Sequence, residues 1–144
     1  MEKNIQQIKR FNRFYIRMMG LFSLYNDVSS YSATEAMILY EINHKKNCTA
    51  SYLADYYSFD KGYISRIISK FTRNNVVTKV PSERDRRIQH LEMTPKGKEV
   101  LDELATKANA NVARMIKDVE KEDVVELIQA MTQIEKILNK NNKG

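Results

Sequence analysis

The apolar residues of this chain keep a helical spacing except in one place, and that exception limits the folds open to it. In most of the chain, apolar side chains recur every three or four positions, the period of one face of an α-helix. Val76–Val80 and Ile88–Met93 are instead short runs rich in β-branched or alternating residues, which predict two strands joined by a polar loop. The sequence therefore predicts a mainly α fold with one small β-hairpin.

Residues that cap helices divide the helical parts. Ser32–Glu35 fits the capping box S-x-x-E, so a second helix is expected to begin there. Thr49 suits the N-cap of a short third helix, and Asp60 suits that of a fourth helix that ends near Asn74. Because only a short turn separates the third and fourth helices, they predict a helix-turn-helix, and the hairpin that follows would form its wing.

Bulk composition excludes several classes of function. The chain has 144 residues, one Cys and two His, and it lacks a long apolar run, so it predicts one domain without a disulfide framework or a membrane span. The N-terminus has no apolar core of a signal peptide, and a cytoplasmic location is expected. The dispersed Cys and His give no metal-ligand spacing and no nucleophile–base pair, so no metal, cofactor or enzymatic activity is expected.

Positive charge is concentrated in one part of the sequence. Ten Lys and Arg but only four acidic residues lie between residues 60 and 98, so this segment carries a charge equal to the whole net charge of +6. A solvated, solubilising surface is one interpretation of such a segment. The other is a surface that binds nucleic-acid phosphates, and the arrangement of the charges on the fourth helix favours it.

The fourth helix has one apolar and one basic side. Ile64, Ile67, Ile68 and Phe71 cluster on the side that must face the core. The opposite side carries basic and hydroxyl residues and a Gly but no acid, which suits a helix that approaches bases and phosphates in a DNA major groove. The predicted DNA-binding residues on this side are Gly62, Ser65, Arg66, Ser69, Lys70 and Arg73, with Lys61 and Tyr63 at its flanks and Ser51 from the third helix.

The loop of the hairpin is a second predicted DNA-binding element. Arg84, Arg86 and Arg87 place three cations within four positions. A projecting Arg suits the narrow minor groove, where the negative potential of DNA is strongest. Asp85 interrupts this basic run, and we expect it to fix a neighbouring guanidinium by a charge-assisted hydrogen bond.

The terminal helices carry more apolar surface than one chain can cover. Residues 8–25 form one apolar stripe, and residues 101–119 and 124–138 form two more, separated near residues 120–123. Packing within one chain is the ordinary explanation of such stripes. The body between residues 32 and 93 is too small to cover all three, however, so helix pairing between two subunits, and hence a homodimer, is expected.

Five segments carry a family resemblance: Ser32–Ala36, Thr49–Ala54, Asp60–Arg66, Asp85–Arg87 and Leu91–Gly97. In this order and spacing they resemble the MarR family of bacterial transcription regulators, over nearly the whole chain. The resemblance implies a winged helix-turn-helix lobe at about 32–97 and dimerisation helices at about 3–28 and 98–140. It also implies that the fourth helix reads the major groove, while the first and last residues of the D-x-R motif act in the minor groove.

The implied partner is double-stranded DNA. Two recognition helices related by a two-fold axis fit a pseudo-palindromic operator, and occupation of a promoter would repress transcription. The family usually has Gly after the fourth helix. Asn75 stands there in this chain, and Asn tolerates a left-handed backbone better than most residues.

A closer resemblance involves Phe11–Tyr15, Gly20–Leu21 and Asp60–Arg66, which are similar to the regulator half of MarR–acetyltransferase fusion proteins. The chain ends near Asn142, about where the acetyltransferase would begin, and it has no Gly-rich loop that would hold acetyl-CoA. The resemblance therefore implies the DNA-binding half without the acetyltransferase activity.

Three questions stay open at this point. One set of side chains on the first two helices forms either ordinary core or a pocket for a small anionic aromatic effector: Tyr15, Met18, Phe22, Met37 and Tyr40. Cys48 either packs inertly or senses oxidants, if Lys45, Lys46 and the following helix lower its pKa. The winged fold also serves protein–protein modules and anti-regulators, whose fourth helix would present an acidic or apolar side.

Overall fold

The structure, a computed structural model, describes residues 1–20 and 31–140. In chain order its elements are α1 (Glu2–Met19), α2 (Ala33–His44), α3 (Ala50–Tyr57), α4 (Lys61–Arg73), β1 (Val77–Pro81), β2 (Gln89–Met93), α5 (Pro95–Met115) and α6 (Lys121–Asn139). The two strands form one antiparallel hairpin, so the predicted mainly α fold with a small hairpin is confirmed. Among the helices of these residues, none is long and apolar enough to cross a membrane.

Side-chain caps determine where the helices of the central part begin. Ser32 and Glu35 form the complete capping box at the start of α2, as predicted. Thr49 accepts a hydrogen bond from the Tyr52 N–H at the start of α3, and Asp60 accepts hydrogen bonds at the start of α4. Such caps stabilise a helix by about 1 kcal/mol each. The predicted helix starts therefore agree with the structure.

The core lies between α2, α3, α4 and the hairpin. The apolar side of α4 is buried as predicted, with Ile64, Ile67, Ile68 and Phe71 all at or below 6% exposure. The backbone N–H of Leu91 in β2 donates to the carbonyl of Cys48 at 2.7 Å, which ties the hairpin to the connection between α2 and α3. The hairpin is thereby fixed beside the helix-turn-helix.

The turn from α4 into the hairpin follows the expectation for Asn75. Its φ is 61°, in the left-handed region, so Asn does replace a Gly there without a change of turn. Each strand begins one residue later than predicted. At β1 the reason is that the carbonyl of Val76 accepts hydrogen bonds from the N–H and hydroxyl of Thr94 at the start of α5, both at 3.1 Å.

The terminal helices contact each other but leave apolar surface open. α1 packs against α5, and the side-chain amide of Asn111 donates to the carbonyl of Met19 at the end of α1. Neither α1 nor α6 has a buried residue, and side chains such as Phe14 and Ile128 are at least half exposed. The break between α5 and α6 falls at 116–120, slightly earlier than predicted. The stripe beyond residue 20 lies outside the described residues.

Candidate nucleic-acid interface

The side of α4 that faces away from the core is open to solvent. Gly62, Ser65, Arg66, Ser69 and Arg73 are all exposed there, and Lys61 is exposed at the helix start. The side chain of Asp60 accepts hydrogen bonds from the N–H groups of Gly62 and Tyr63, so its carboxylate is engaged in capping the start of α4. The structure therefore brings together most of the predicted major-groove residues on one basic, hydroxyl-bearing surface.

Tyr63 lies at the flank of α4, as predicted, whereas Lys70 lies there although the projection placed it on the open side. Tyr63 is partly buried, and its ring packs edge-on against that of Phe59 with 5.3 Å between the ring centres. The ammonium of Lys70 lies 3.1 Å from a carboxylate oxygen of Glu35 on α2. Lys70 thus has a partner within the protein that the helical projection of α4 alone did not indicate.

The tip of the hairpin contains the expected charge-assisted pair. Nε and Nη2 of Arg87 donate to the two carboxylate oxygens of Asp85, each at 3.1 Å, and the backbone N–H of Arg87 donates to the same carboxylate. These bonds hold the pKa of Asp85 below its usual value. The Arg87 side chain is 91% exposed, so the pair orders a guanidinium that still projects into solvent. Arg84 and Arg86 are exposed beside it.

An open cleft of about 570 Å³ lies between α3, α4 and the hairpin. It brings together Ser51 of α3, Ser65 of α4 and Arg87 of the hairpin, which the sequence had placed in separate segments. Lys79 and Gln89 also line it, and sequence reasoning had not selected them. Lys79 could have been selected as a basic residue on a strand that follows a basic helix. The side of the hairpin on which it lies, however, depends on the strand register, which the sequence does not give.

Of the predicted effector-pocket residues that the structure describes, three are largely open to solvent. Met18, Met37 and Tyr40 are 44%, 52% and 54% exposed, and Tyr15 is partly buried. The ring of Tyr40 stacks on that of His44 at 3.9 Å. Met37 and Tyr40 therefore do not belong to the core of the single chain. Phe22 lies outside the described residues.

Cys48 packs as an ordinary core residue. Its side chain is completely buried. Burial, followed by the nearby Glu41 carboxylate, raises the pKa of the thiol to about 11, although Lys45 acts in the opposite direction. The reactive thiolate that oxidant sensing requires is therefore disfavoured. Within residues 1–20 and 31–140, no group of three His, Cys, Asp or Glu is arranged to hold a metal ion.

A helix-turn-helix, an exposed basic side on its second helix and an arginine-bearing wing define a winged helix DNA-binding protein. A family model described as a winged helix DNA-binding domain matches residues 32–97. The HTH-type transcriptional regulator BilQ of Clostridioides difficile is 25% identical over 120 residues, which cover 78% of this chain and 81% of BilQ.

Several solved structures are similar to this chain in fold. FabT of Streptococcus pneumoniae, solved in complex with DNA, has a TM-score of 0.73 at 18% identity and covers 97% of this chain and 99% of its own. MarR of E. coli scores 0.74 at 17% identity, over 90% of this chain and 94% of its own. BpsR of Bordetella bronchiseptica, whose DNA binding is regulated by 6-hydroxynicotinic acid, scores 0.72 at 15% identity, over 90% and 98%.

At these identities the solved structures are similar in fold. The matched winged helix domain and the BilQ relative indicate DNA binding, as does the exposed basic side of α4. The chain is a winged helix DNA-binding transcriptional regulator, and its overall fold is that of MarR of E. coli.

Proposed function

We propose that the protein represses transcription as a homodimer on a pseudo-palindromic operator, with α4 in the major groove and the hairpin tip in the minor groove. The observation that carries this proposal is the exposed side of α4 and the ordered Arg87 facing one open cleft. The residues proposed to contact DNA are Ser51, Lys61, Gly62, Tyr63, Ser65, Arg66, Ser69, Arg73, Arg84, Asp85, Arg86 and Arg87. Lys70 was also predicted to contact DNA, and its contact with Glu35 is considered below.

Charge complementarity supports the proposed dimer. α1 carries five cations and one carboxylate, whereas α6 carries four carboxylates and two Lys. Both helices also expose apolar side chains, and none of their residues is buried within the described part of the chain. Pairing of the basic helix of one subunit with the acidic helix of the other would bury this surface. We therefore assign residues 32–97 to DNA binding and residues 3–28 and 98–140 to dimerisation.

The proposed dimer would also form a pocket around the predicted effector residues. The partly exposed Tyr15, Met18, Met37 and Tyr40 would lie between the dimerisation helices and the DNA-binding lobe, and Phe22, which was predicted with them, lies outside the described residues. We propose an anionic aromatic ligand there, and the regulation of BpsR by 6-hydroxynicotinic acid supports that ligand class. Such a ligand changes DNA affinity only by binding better to one lobe spacing than to another.

We further propose that this regulator acts in the cytoplasm, where its DNA lies. The resemblance to the regulator half of MarR–acetyltransferase fusions stays a prediction, and it implies the DNA-binding half without the acetyltransferase activity. A protein–protein module would need an acidic or apolar outer side on α4. The exposed residues there are basic or hydroxyl-bearing, which favours DNA.

The experiment that tests the proposal is a footprint on the DNA upstream of the protein's own gene, repeated over a salt series with random DNA as control. We expect a protected, two-fold-symmetric site with half-sites about 34–36 Å apart. Arg66→Gln should abolish the footprint at protein concentrations where wild type is saturated. Lys117→Gln removes an exposed cation between α5 and α6 and is the matched control that should bind as wild type does.

Equal, weak binding to both DNAs that disappears with modest salt would overturn specific operator binding. A footprint without two-fold symmetry, or a protein that sediments as a monomer when bound, would overturn the dimer.

A further inference from the structure

A small cluster joins the last turns of α4 to the N-terminus of α2. Nζ of Lys70 lies 3.1 Å from Oε1 of Glu35, and the same ammonium lies 5.0 Å from the centre of the Tyr31 ring. Nδ2 of Asn74 donates to the hydroxyl of Tyr31 at 3.2 Å. The ring of Tyr31 also packs on that of Phe71, with 6.0 Å between their centres. Lys70, Phe71 and Asn74, at the end of α4, therefore contact two residues at the start of α2. These are Tyr31, just before the helix, and Glu35 in its first turn.

Glu35 serves two helices at once. Its Oε1 accepts a hydrogen bond from the backbone N–H of Ser32 at 2.8 Å, which completes the capping box of α2, and it also receives the ammonium of Lys70. The Glu35 side chain is only 13% exposed. A carboxylate so sheltered from water is costly without a counter-charge, and Lys70 supplies one. The ion pair therefore links the cap of α2 to the body of α4.

The position of Lys70 on α4 separates it from the surface proposed to meet DNA. Its neighbours Ser69 and Arg73 are exposed on the open side, whereas the Lys70 side chain is 30% exposed and lies at the flank. The ammonium of Lys70 is already within hydrogen-bond distance of the Glu35 carboxylate. A phosphate contact would have to compete with Glu35 for the same charge.

We propose that Lys70 is a positioning residue, whose pair with Glu35 sets the tilt of α4 against α2 and so determines how well α4 fits its operator. This inference rests on the proposed operator binding, and it replaces the DNA contact that the sequence predicted for Lys70. It leads to a distinctive expectation. Removal of the negative charge of Glu35 weakens specific binding, although a loss of negative charge by itself favours binding to DNA.

The test is a double-mutant cycle on operator DNA with wild type, Glu35→Gln, Lys70→Gln and the double variant. Gln at position 35 retains the acceptor of the capping box, so only the charge pair is lost. We expect each single variant to bind the operator about five-fold more weakly and the double variant to be no weaker than either single one, because contacting residues are not additive. Each single variant should lose much less affinity for random DNA than for the operator, and the salt dependence should stay near that of wild type.

Arg73→Gln is the matched control, since it removes a cation from the open side of the same helix. It should weaken binding to both DNAs and reduce the salt slope by about one. Glu35→Asp is a second variant that keeps the charge but shortens the side chain by one methylene. It should weaken operator binding as Glu35→Gln does, and it keeps the proposal testable if Lys70→Gln does not fold.

The proposal is overturned if Glu35→Gln binds the operator as tightly as wild type while Lys70→Gln loses about one unit of salt slope. It is also overturned if the two residues are coupled in thermal unfolding but not in operator binding, because the pair then stabilises the fold alone. A wild-type protein that does not distinguish operator from random DNA refutes the proposed function first, and this inference with it.

Discussion

Gly97 lies where the first turn of α5 crosses the start of the hairpin, and its replacement by Ala should destabilise the protein strongly. A Cβ at this position would lie 2.0 Å from the carbonyl oxygen of Val76 and 3.2 Å from Cε of Met93. The carbonyl cannot simply rotate away, because it already accepts hydrogen bonds from Thr94. The helix and the hairpin must therefore separate, by roughly 1.4 Å if ordinary contact begins near 3.4 Å.

The expected cost follows from two contributions. Overpacking of a well-packed core costs about 1–3 kcal/mol. Stretching the bonds between Thr94 and Val76 adds about 1 kcal/mol. We therefore expect Gly97→Ala to lower the free energy of unfolding by about 3 kcal/mol. For a chain of this size that corresponds to a decrease in Tm of roughly 10 °C.

Thermal unfolding followed by circular dichroism at one fixed protein concentration measures this change, since a dimer unfolds in a concentration-dependent way. Gly62→Ala is the matched control, because Gly62 also lies in the first turn of a helix. Its Cβ would meet only side-chain atoms of Asp60 and Arg66, at 3.0 and 3.6 Å, and Ala favours the helix. A Gly97→Ala protein that melts within about 1 °C of wild type would refute the rigid contact between α5 and the hairpin.

Three further predictions concern the caps, the wing and the buried thiol. Asp60→Ala should lower the free energy of unfolding in urea by about 1 kcal/mol, and Asp60→Ser should recover most of it; equal losses would exclude the cap as the cause. Asp85→Asn should weaken operator binding roughly five-fold by releasing Arg87, and tighter operator binding in equilibrium titrations would contradict this. The Cys48 thiol, with its pKa near 11, should react with a thiol reagent at pH 8 only as the protein unfolds, whereas fast labelling of native protein would show an accessible thiolate.

Local interactions made much of this fold predictable from the sequence. Ser32 and Glu35 cap a helix across three positions, and Asp85 and Arg87 pair across two, so both contacts are encoded within one turn of chain. The buried side of α4 follows in the same way from the helical period. The left-handed turn at Asn75 needed only a residue that tolerates it. Each of these features depends on residues within one helix or one turn, so spacing along the chain is enough to predict it.

The tertiary structure decided the contacts between segments. The helical spacing places Lys70 near the open side of α4, and only the tertiary fold brings Glu35, 35 positions away, to its ammonium. Lys79 joins the cleft because the register of the hairpin places it there. The pKa of Cys48 rises because the core removes water from the thiol, which outweighs the cation beside it in the sequence. The sequence by itself determined the elements and their caps, whereas burial and the partners of charged groups depend on how those elements are placed in space.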